Sequence, residues 1–288
     1  VTRIFDCFLF CDELDLLECR LREHEDVPDL MHVLVEADRT HGGNAMKPFV
    51  FLDNRERFRK WNDRIWWHGT VFGSMAMANP WEREHAQREQ FAVPLERGEV
   101  QPEDLVMQSD VDEIPDVAAI ERVHHDLSNG QVVVLEQRPH YLALDWQHPD
   151  IWPGTTVTRG LPASFAAMRH ARFTAPRIAD GGWHLSWLGG PDAVAAKIAR
   201  GCHPEFEGFD AEAGVLEGIH VDGKKMFRHP DSAMGVTYPR WVREGDAPAA
   251  WYREYWLERE RVADERHYAR IEMQERTAWD TQPWEEQT

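Results

Sequence analysis

Only four cysteines occur in 288 residues, Cys7, Cys11, Cys19 and Cys202, and no two form a CxxC pair. That scarcity gives no signature of a disulfide framework or a zinc site and suits a reducing compartment. Long apolar runs are missing as well: no stretch has the length of a membrane span and no leader peptide is read, so a soluble, cytoplasmic protein is expected. Positive charge is in deficit, with 32 Lys and Arg against 51 Asp and Glu, a net charge of −19. A surface of that sign repels polyanions, which argues against broad affinity for nucleic acid or an anionic membrane. An anionic substrate would need a local cationic pocket or a bound cation. Internal repeats and low-complexity segments are absent too, which excludes a solenoid.

What is present is the composition of a globular protein. Apolar residues make up 42% and aromatics 11%, enough at this length to bury one substantial core. Thirteen tryptophans stand out; a ring with an apolar face and a polar edge serves packing and, second, sugar-binding surfaces. Residues 2–10 are rich in β-formers and read as a strand. Leu14, Leu17 and Leu21 follow at helical spacing, so a helix is predicted from near Asp12. Residues 31–37 read as a buried strand, and strand, helix, strand opens an α/β sandwich with a largely parallel sheet. Beyond it the pattern predicts a loop over 40–47, a helix over 55–66, a short strand over 66–71 and a helix over 80–95. Strands are predicted over 105–109, 131–137 and 141–146, then a mostly irregular region over 150–190 and a helix over 191–201. A charged helical pattern occupies 249–279.

Ser109-Asp110-Val111-Asp112-Glu113-Ile114-Pro115 follows the apolar strand 105–109 directly. Two carboxylates one residue apart at a strand end can face one loop cavity, and Pro115 restricts the backbone behind them. Hard oxygen ligands suit Mg²⁺ or Mn²⁺, which bind through one or two carboxylates plus substrate phosphates. A cation held there would neutralise a diphosphate leaving group. The tripeptide alone is a weak signal; its place at a strand end strengthens it.

The neighbours add a resemblance. Phe5-Asp6-Cys7-Phe8-Leu9-Phe10-Cys11-Asp12-Glu13-Leu14-Asp15-Leu16-Leu17-Glu18-Cys19-Arg20-Leu21 resembles the opening of glycosyltransferase family 17. So do Val35-Glu36-Ala37, Trp81-Glu82-Arg83-Glu84 with Gln87-Arg88, the acidic turn itself, and Gly182-Trp183-His184-Leu185-Ser186-Trp187. The family includes the enzyme that adds the bisecting N-acetylglucosamine of N-glycans. The resemblance implies a GT-A fold, an α/β/α Rossmann-like sandwich with a mixed, mostly parallel sheet. It further implies a nucleotide-diphosphate sugar donor such as a UDP-sugar, a divalent metal, and inversion at the anomeric carbon. A catalytic domain over 1–247 and a helical tail over 248–288 are expected. The tail departs from the animal enzyme, and the donor sugar and the acceptor, a glycan or another hydroxyl compound, stay open.

Roles follow on this reading. Asp112 is the first candidate metal ligand, and Asp110 a second ligand or a partner of the donor's sugars. His184 matches the late histidine that completes the metal site in many GT-A enzymes; a histidine merely hydrogen-bonded beside Trp183 is the alternative. Glu36 ends a strand at the carboxyl edge where α/β sheets bind ligands, with Phe10 and Glu13 lining the same pocket. Arg83 or Arg88 would reach the diphosphate unless tied to Glu84 or Glu89, and Lys197 is a further phosphate candidate. An inverting displacement needs a general base; Asp145 beside Trp146 is the first candidate, with Glu113, Glu136 and Asp180 open. Trp146, Trp152, Trp183 and Trp187 suit sugar stacking or packing. A metal-dependent phosphohydrolase or nuclease, a non-catalytic carbohydrate-binding protein, and sugar transfer to a modified nucleic-acid base are competing readings. For the last, Arg169 to Arg172 and Lys224-Lys225 with Arg228 are the modest basic clusters.

Overall fold

In a computed structural model of the chain, the structure describes residues 2–72, 79–202, 220–221, 224–225, 227–228 and 238–252. Strand β1 (Ile4–Phe10) lies at the centre of the sheet and is buried along its whole length. It runs parallel to β2 (Leu30–Ala37) on one side and to β4 (Leu105–Asp110) on the other, with β3 (Ile65–Thr70) parallel beyond β2. Burial on both faces is why β1 reads as a continuous apolar run. Phe8 and Phe10 pack on one face with Leu17 and Leu21 of helix α1 (Leu14–Glu23). Phe5, Cys7 and Leu9 pack on the other with Val33, Val35 and Phe91.

The second half adds antiparallel strands. β8 (Trp152–Arg159) pairs with β4 and with β6 (Val132–Tyr141), and β9 (Arg177–Ser186) runs parallel to β6. The short β5 (Glu113–Pro115) pairs antiparallel with β9. Among the described residues the resulting sheet has ten strands and is mixed, as expected of a GT-A-type α/β fold. Along it the order is β3-β2-β1-β4, so the chain reverses direction of travel across the sheet between β1 and β4. Ligands of open α/β sheets bind outside the carboxyl ends of strands at such a switch point. Leu9 is in register with Asp110 there.

Several sequence expectations are corrected. The helix over 80–95 is two, α3 (Pro80–Glu89) and α4 (Ala92–Arg97), because Pro94 has no N–H and its ring would clash with the carbonyl of Gln90. Residues 55–64 form 3₁₀ turns, with Phe58 and Trp61 buried at the three-residue period of that helix. The strand expected at 141–146 does not form: β6 runs to Tyr141, a turn follows, and β7 is only Trp146–Gln147. The region 150–190 is not mostly irregular, since it holds β8, helix α6 (Phe165–His170) and β9. Helix α5 (Val117–Asp126), capped by the Asp116 carboxylate on the N–H groups of Ala118 and Ala119, escaped the sequence reading. Helix α7 (Pro191–Arg200) is as expected. The tail helix over 249–279 lies outside the described residues beyond Tyr252, where Trp251 is still packed in the main core.

The glycines of 150–190 at positions 154, 181 and 182 mark close approach inside strands, not turns. A Cβ on Gly154 would stand 1.8 Å from the Gln137 side-chain oxygen. Gly182 has φ +128, and a Cβ there would stand 2.1 Å from the Ile114 carbonyl oxygen. Gly182→Ala is therefore expected to cost about 2 kcal/mol or more in urea unfolding, from the backbone strain and the displaced β5–β9 contact. A loss below about 0.5 kcal/mol, within the range of a neutral surface substitution, would contradict this packing.

Candidate active site

The acidic turn leaves the carboxyl end of β4 and is held from beneath by one guanidinium. Arg20 of α1, fully buried, donates to the carbonyls of Asp110 (3.1 Å), Val111 (3.4 Å) and Glu113 (2.7 Å) and to the Ser109 hydroxyl (2.7 Å). Asp6 of β1 balances its charge through a two-point ion pair, with Nε at 2.7 Å from Oδ2. Burial alone would raise the Asp6 carboxyl, but the Arg20 charge and its hydrogen bonds override that and hold it well below the usual range. His32 Nδ1 lies 2.9 Å from Asp6 Oδ2, and His24 Nε2 lies 2.9 Å from the Pro115 carbonyl. Burial pushes the His32 imidazole down to about 4, so it is neutral at pH 7.

Above this floor each carboxylate has a cationic partner. Asp110 places Oδ1 2.5 Å from Arg88 and Oδ2 2.8 Å from Arg169. Glu113 is fully buried; Arg169 grips both its oxygens at 2.7 Å, the Trp152 indole N–H donates at 2.6 Å, and the Asp110 N–H donates at 3.0 Å. For both carboxyls burial pushes upward and is overridden, by Arg88 and Arg169 at Asp110 and by Arg169 at Glu113, so both stay below their usual range.

Asp112 has different company. Its Oδ2 lies 2.5 Å from the Lys197 ammonium and 3.6 Å from His184 Nε2. The sheet dictates this meeting: Glu113 is opposite His184 in the β5–β9 ladder, and the Leu185 N–H donates to the Asp112 carbonyl at 2.8 Å. His184 stacks on Trp152 with ring centroids 4.6 Å apart, and its Nδ1 is buried with no hydrogen-bond partner among the described residues. Burial would raise the Asp112 carboxyl, but Lys197 and then His184 hold it far below the usual range.

These groups line a cavity of about 710 Å³ that also takes in Phe10, Glu13, Arg172, Trp187 and Arg200. Of the residues singled out in the sequence, Phe10, Glu13, Asp110, Asp112, His184, Lys197, Trp152 and Trp187 are on its wall. Glu36, Arg83, Arg88, Glu113 and Asp145 are not. Glu36 accepts from Lys47 (2.7 Å), from the Val50 and Phe51 N–H groups and from the Trp67 indole, so it caps a short helix. Arg83 donates to the carbonyls of His41 and Gly42. Asp145 is buried in the turn after β6, while Asp180 and Glu136 pair with Arg138 and Arg177. Glu13 binds the N–H groups of Cys11 and Asp12 with one oxygen. Trp146 and Trp183 are packed in the interior. The expected trio of metal ligands is brought together only in part: Asp112 and His184 converge, and Asp110 is turned to its two arginines.

Arg20, Asp6 and Arg169 carry the architecture of the site and were not identified in these roles from the sequence. Arg169 and Arg172, one of the two modest basic clusters of the sequence, face these carboxylates and the cavity. Arg172 stacks over Trp152 and Phe173 and lies 3.6 Å from Glu113, while its Nε and one terminal nitrogen have no hydrogen-bond partner among the described residues. Burial and then Arg169 push it down to about 10, still cationic at pH 7.

The sequence model of glycosyltransferase family 17 matches residues 1–189, and the chain belongs to this family. No curated protein matches the chain. Among solved structures, 4-diphosphocytidyl-2C-methyl-D-erythritol synthase is 12% identical, covering 69% of this chain and 98% of that one, with a TM-score of 0.39. The glycosyltransferase GlyE of Streptococcus pneumoniae TIGR4 in its apo form is 11% identical over 90% of this chain and 60% of its own, with a TM-score of 0.34. A second GlyE structure gives 11%, 90%, 64% and 0.35. The fold assignment rests on the strand order, not on these likenesses.

Removing Arg169 while keeping its bulk isolates the charge pairing. Arg169→Met strands the Glu113 carboxylate, fully buried, and is expected to cost about 3–5 kcal/mol of stability at pH 7. Carboxyls depressed in the folded state contribute stability above their unfolded pKa of about 4 and lose it as the pH falls through the folded values. The difference between variant and native protein should therefore shrink below about pH 4, where the stranded carboxyls take up protons. Urea unfolding at both pH values checks this; an equal cost at both would contradict the assignment.

Proposed function

We propose that this member of glycosyltransferase family 17 transfers a sugar, N-acetylglucosamine or another hexose, from a UDP-sugar to a hydroxyl of a glycan or other acceptor, with divalent-metal assistance and inversion. One observation carries the reading. A chain of net charge −19 gathers Lys197, Arg172 and Arg200 on one cavity at the switch point of its sheet, and Arg172 keeps buried donor nitrogens without partners among the described residues. An unmet buried donor is costly, and an anion entering the cavity would satisfy it. A diphosphate suits both the planar guanidinium and the point charge of an ammonium.

Asp112 and His184 fit two ligands of one cation: a carboxylate oxygen and an imidazole nitrogen 3.6 Å apart, the imidazole plane fixed by Trp152. Mn²⁺ or Mg²⁺ held there would supply Lewis-acid stabilisation to the leaving diphosphate. In its absence Lys197 holds Asp112 ionised, and with donor bound the same ammonium is placed to turn to a phosphate oxygen. Arg172 binds the diphosphate, and Arg169 keeps Asp110 and Glu113 ionised without contributing to the donor. Glu113 is a poor general base, because both its oxygens already accept charge-assisted hydrogen bonds.

Binding of a panel of nucleotide sugars with Mn²⁺, followed by slow donor hydrolysis, tests the reading. A UDP-sugar is expected to bind, and Asp112→Ala to abolish the metal-dependent part. If no nucleotide sugar binds with metal present, the reading fails. Arg172→Met is expected to weaken UDP binding about tenfold or more without lowering the melting temperature, since its unsatisfied donors stabilise nothing in the empty protein.

A further inference from the structure

On the wall of the same cavity, away from Asp112, lies a second group of ligating side chains. His41, Glu84 and Cys202 each offer one ligand atom, and these atoms all lie within 4.8 Å of one another. They come from three places in the sequence: the loop after β2, helix α3 and the residue pair that follows α7. With separations of more than 40 and more than 100 residues, no spacing motif could have shown them.

The backbone brings them together firmly. The Gly42 N–H donates to the Arg200 carbonyl at 2.8 Å, and a Cβ on Gly42 would stand 2.6 Å from the Gly201 carbonyl oxygen, so only glycine lets the loop press on the end of α7. On the other side Arg83 of α3 donates to the carbonyl of His41 at 2.7 Å. The His41 ring is oriented as a metal ligand commonly is. Its Nε2 lies 2.7 Å from the Gln87 side-chain oxygen, and Gln87 is itself fixed by donating to the Val35 carbonyl at 2.8 Å. That acceptor places the proton on Nε2 and leaves the lone pair on the other nitrogen. Glu84 gives one oxygen to Arg88 at 2.7 Å, which leaves the second, 3.2 Å from the Cys202 sulfur, for another partner.

We propose that His41, Glu84 and Cys202 form a thiophilic divalent-cation site of the Zn²⁺ class, separate from the Asp112 site, that clamps the loop onto the end of α7 at the rim of the cavity. A thiolate, an imidazole and a carboxylate match the ligand preferences of Zn²⁺ and discriminate against Mg²⁺. Binding displaces the Cys202 thiol proton to solvent, and the three protein ligands leave the fourth tetrahedral position to water or a substrate group. Holding the end of α7 also steadies Lys197, three residues before the end of that helix, against Asp112.

Zn²⁺ alone, titrated into the metal-free full chain against a chromophoric chelator, tests this without donor, acceptor or turnover. Native protein and Asp112→Ala are each expected to take up one tight equivalent, and Cys202→Ser and His41→Ala to lose it. Co²⁺ should give a thiolate-to-metal charge-transfer band in native protein and none in Cys202→Ser. Zn²⁺ should raise the melting temperature of native protein but not of Cys202→Ser, which also reports that the variant is folded. No uptake by native protein, uptake unchanged in Cys202→Ser and His41→Ala, or uptake abolished by Asp112→Ala would each overturn the site. All three outcomes are independent of whether a UDP-sugar binds.

Discussion

The buried Arg20–Asp6 pair is the contact on which the rest of the site depends. Burying two charges costs more than their attraction returns unless every remaining donor is satisfied, and an apolar pair of the same volume is often as stable. Here the donors left over from Asp6 go to the Ser109 hydroxyl and to three carbonyls of the acidic turn. A turn that reverses between β4 and β5 turns backbone carbonyls inward, where no ladder can meet them. One guanidinium with a fixed fork of donors meets them together, and an ammonium or an amide could not. The result is a turn that carries three ionisable side chains within four residues, two toward the shared Arg169 and one toward Lys197 and His184.

Those directions divide the labour. Asp110 and Glu113 are each tied to a guanidinium, so they act as counter-ions that lock Arg169 and Arg88 in place. Asp112 alone meets a flexible ammonium and an imidazole, partners that can yield to an incoming cation and phosphate. An acidic protein thereby gathers seven Lys and Arg side chains on a cavity whose six carboxylates nearly balance them, while its net charge stays strongly negative. Arg172 is the cavity end of this arrangement: burial and the neighbouring Arg169 disfavour its charge, and it stays charged with donors to spare.

Local pattern was enough to read β1, α1, β2, β4 and α7, because each has its apolar spacing and its end signals within a dozen residues. The acidic turn at the end of β4 was legible for the same reason, as was its place at the carboxyl edge of the sheet. The second half was not. Gly154, Gly181 and Gly182 look like chain breakers, yet each sits inside a strand where a neighbouring side chain or backbone passes too close for a Cβ. Residue roles failed where they depended on partners distant in the chain. Arg20 lies about ninety residues from the carbonyls it binds, and Arg169 more than fifty from Glu113. Glu36 ends its strand as expected, but the helix that begins at Val50 folds back to claim its carboxylate. Asp145 has the composition of a base beside an aromatic platform, and the turn after β6 buries it away from the cavity wall.

Under the proposed function, the scaffolded turn presents Asp112, with His184, to a cation and a diphosphate, while Asp110 and Glu113 stay bound to arginine. A crystal structure with Mn²⁺ and UDP tests it most directly, through the anomalous signal of the metal. The expected result is a metal peak between Asp112 and His184, the diphosphate on Arg172 and Lys197, and the Arg169 pairs unbroken. A metal held by Asp110 with Arg169 displaced, or UDP seated away from Asp112 and Arg172, would contradict it.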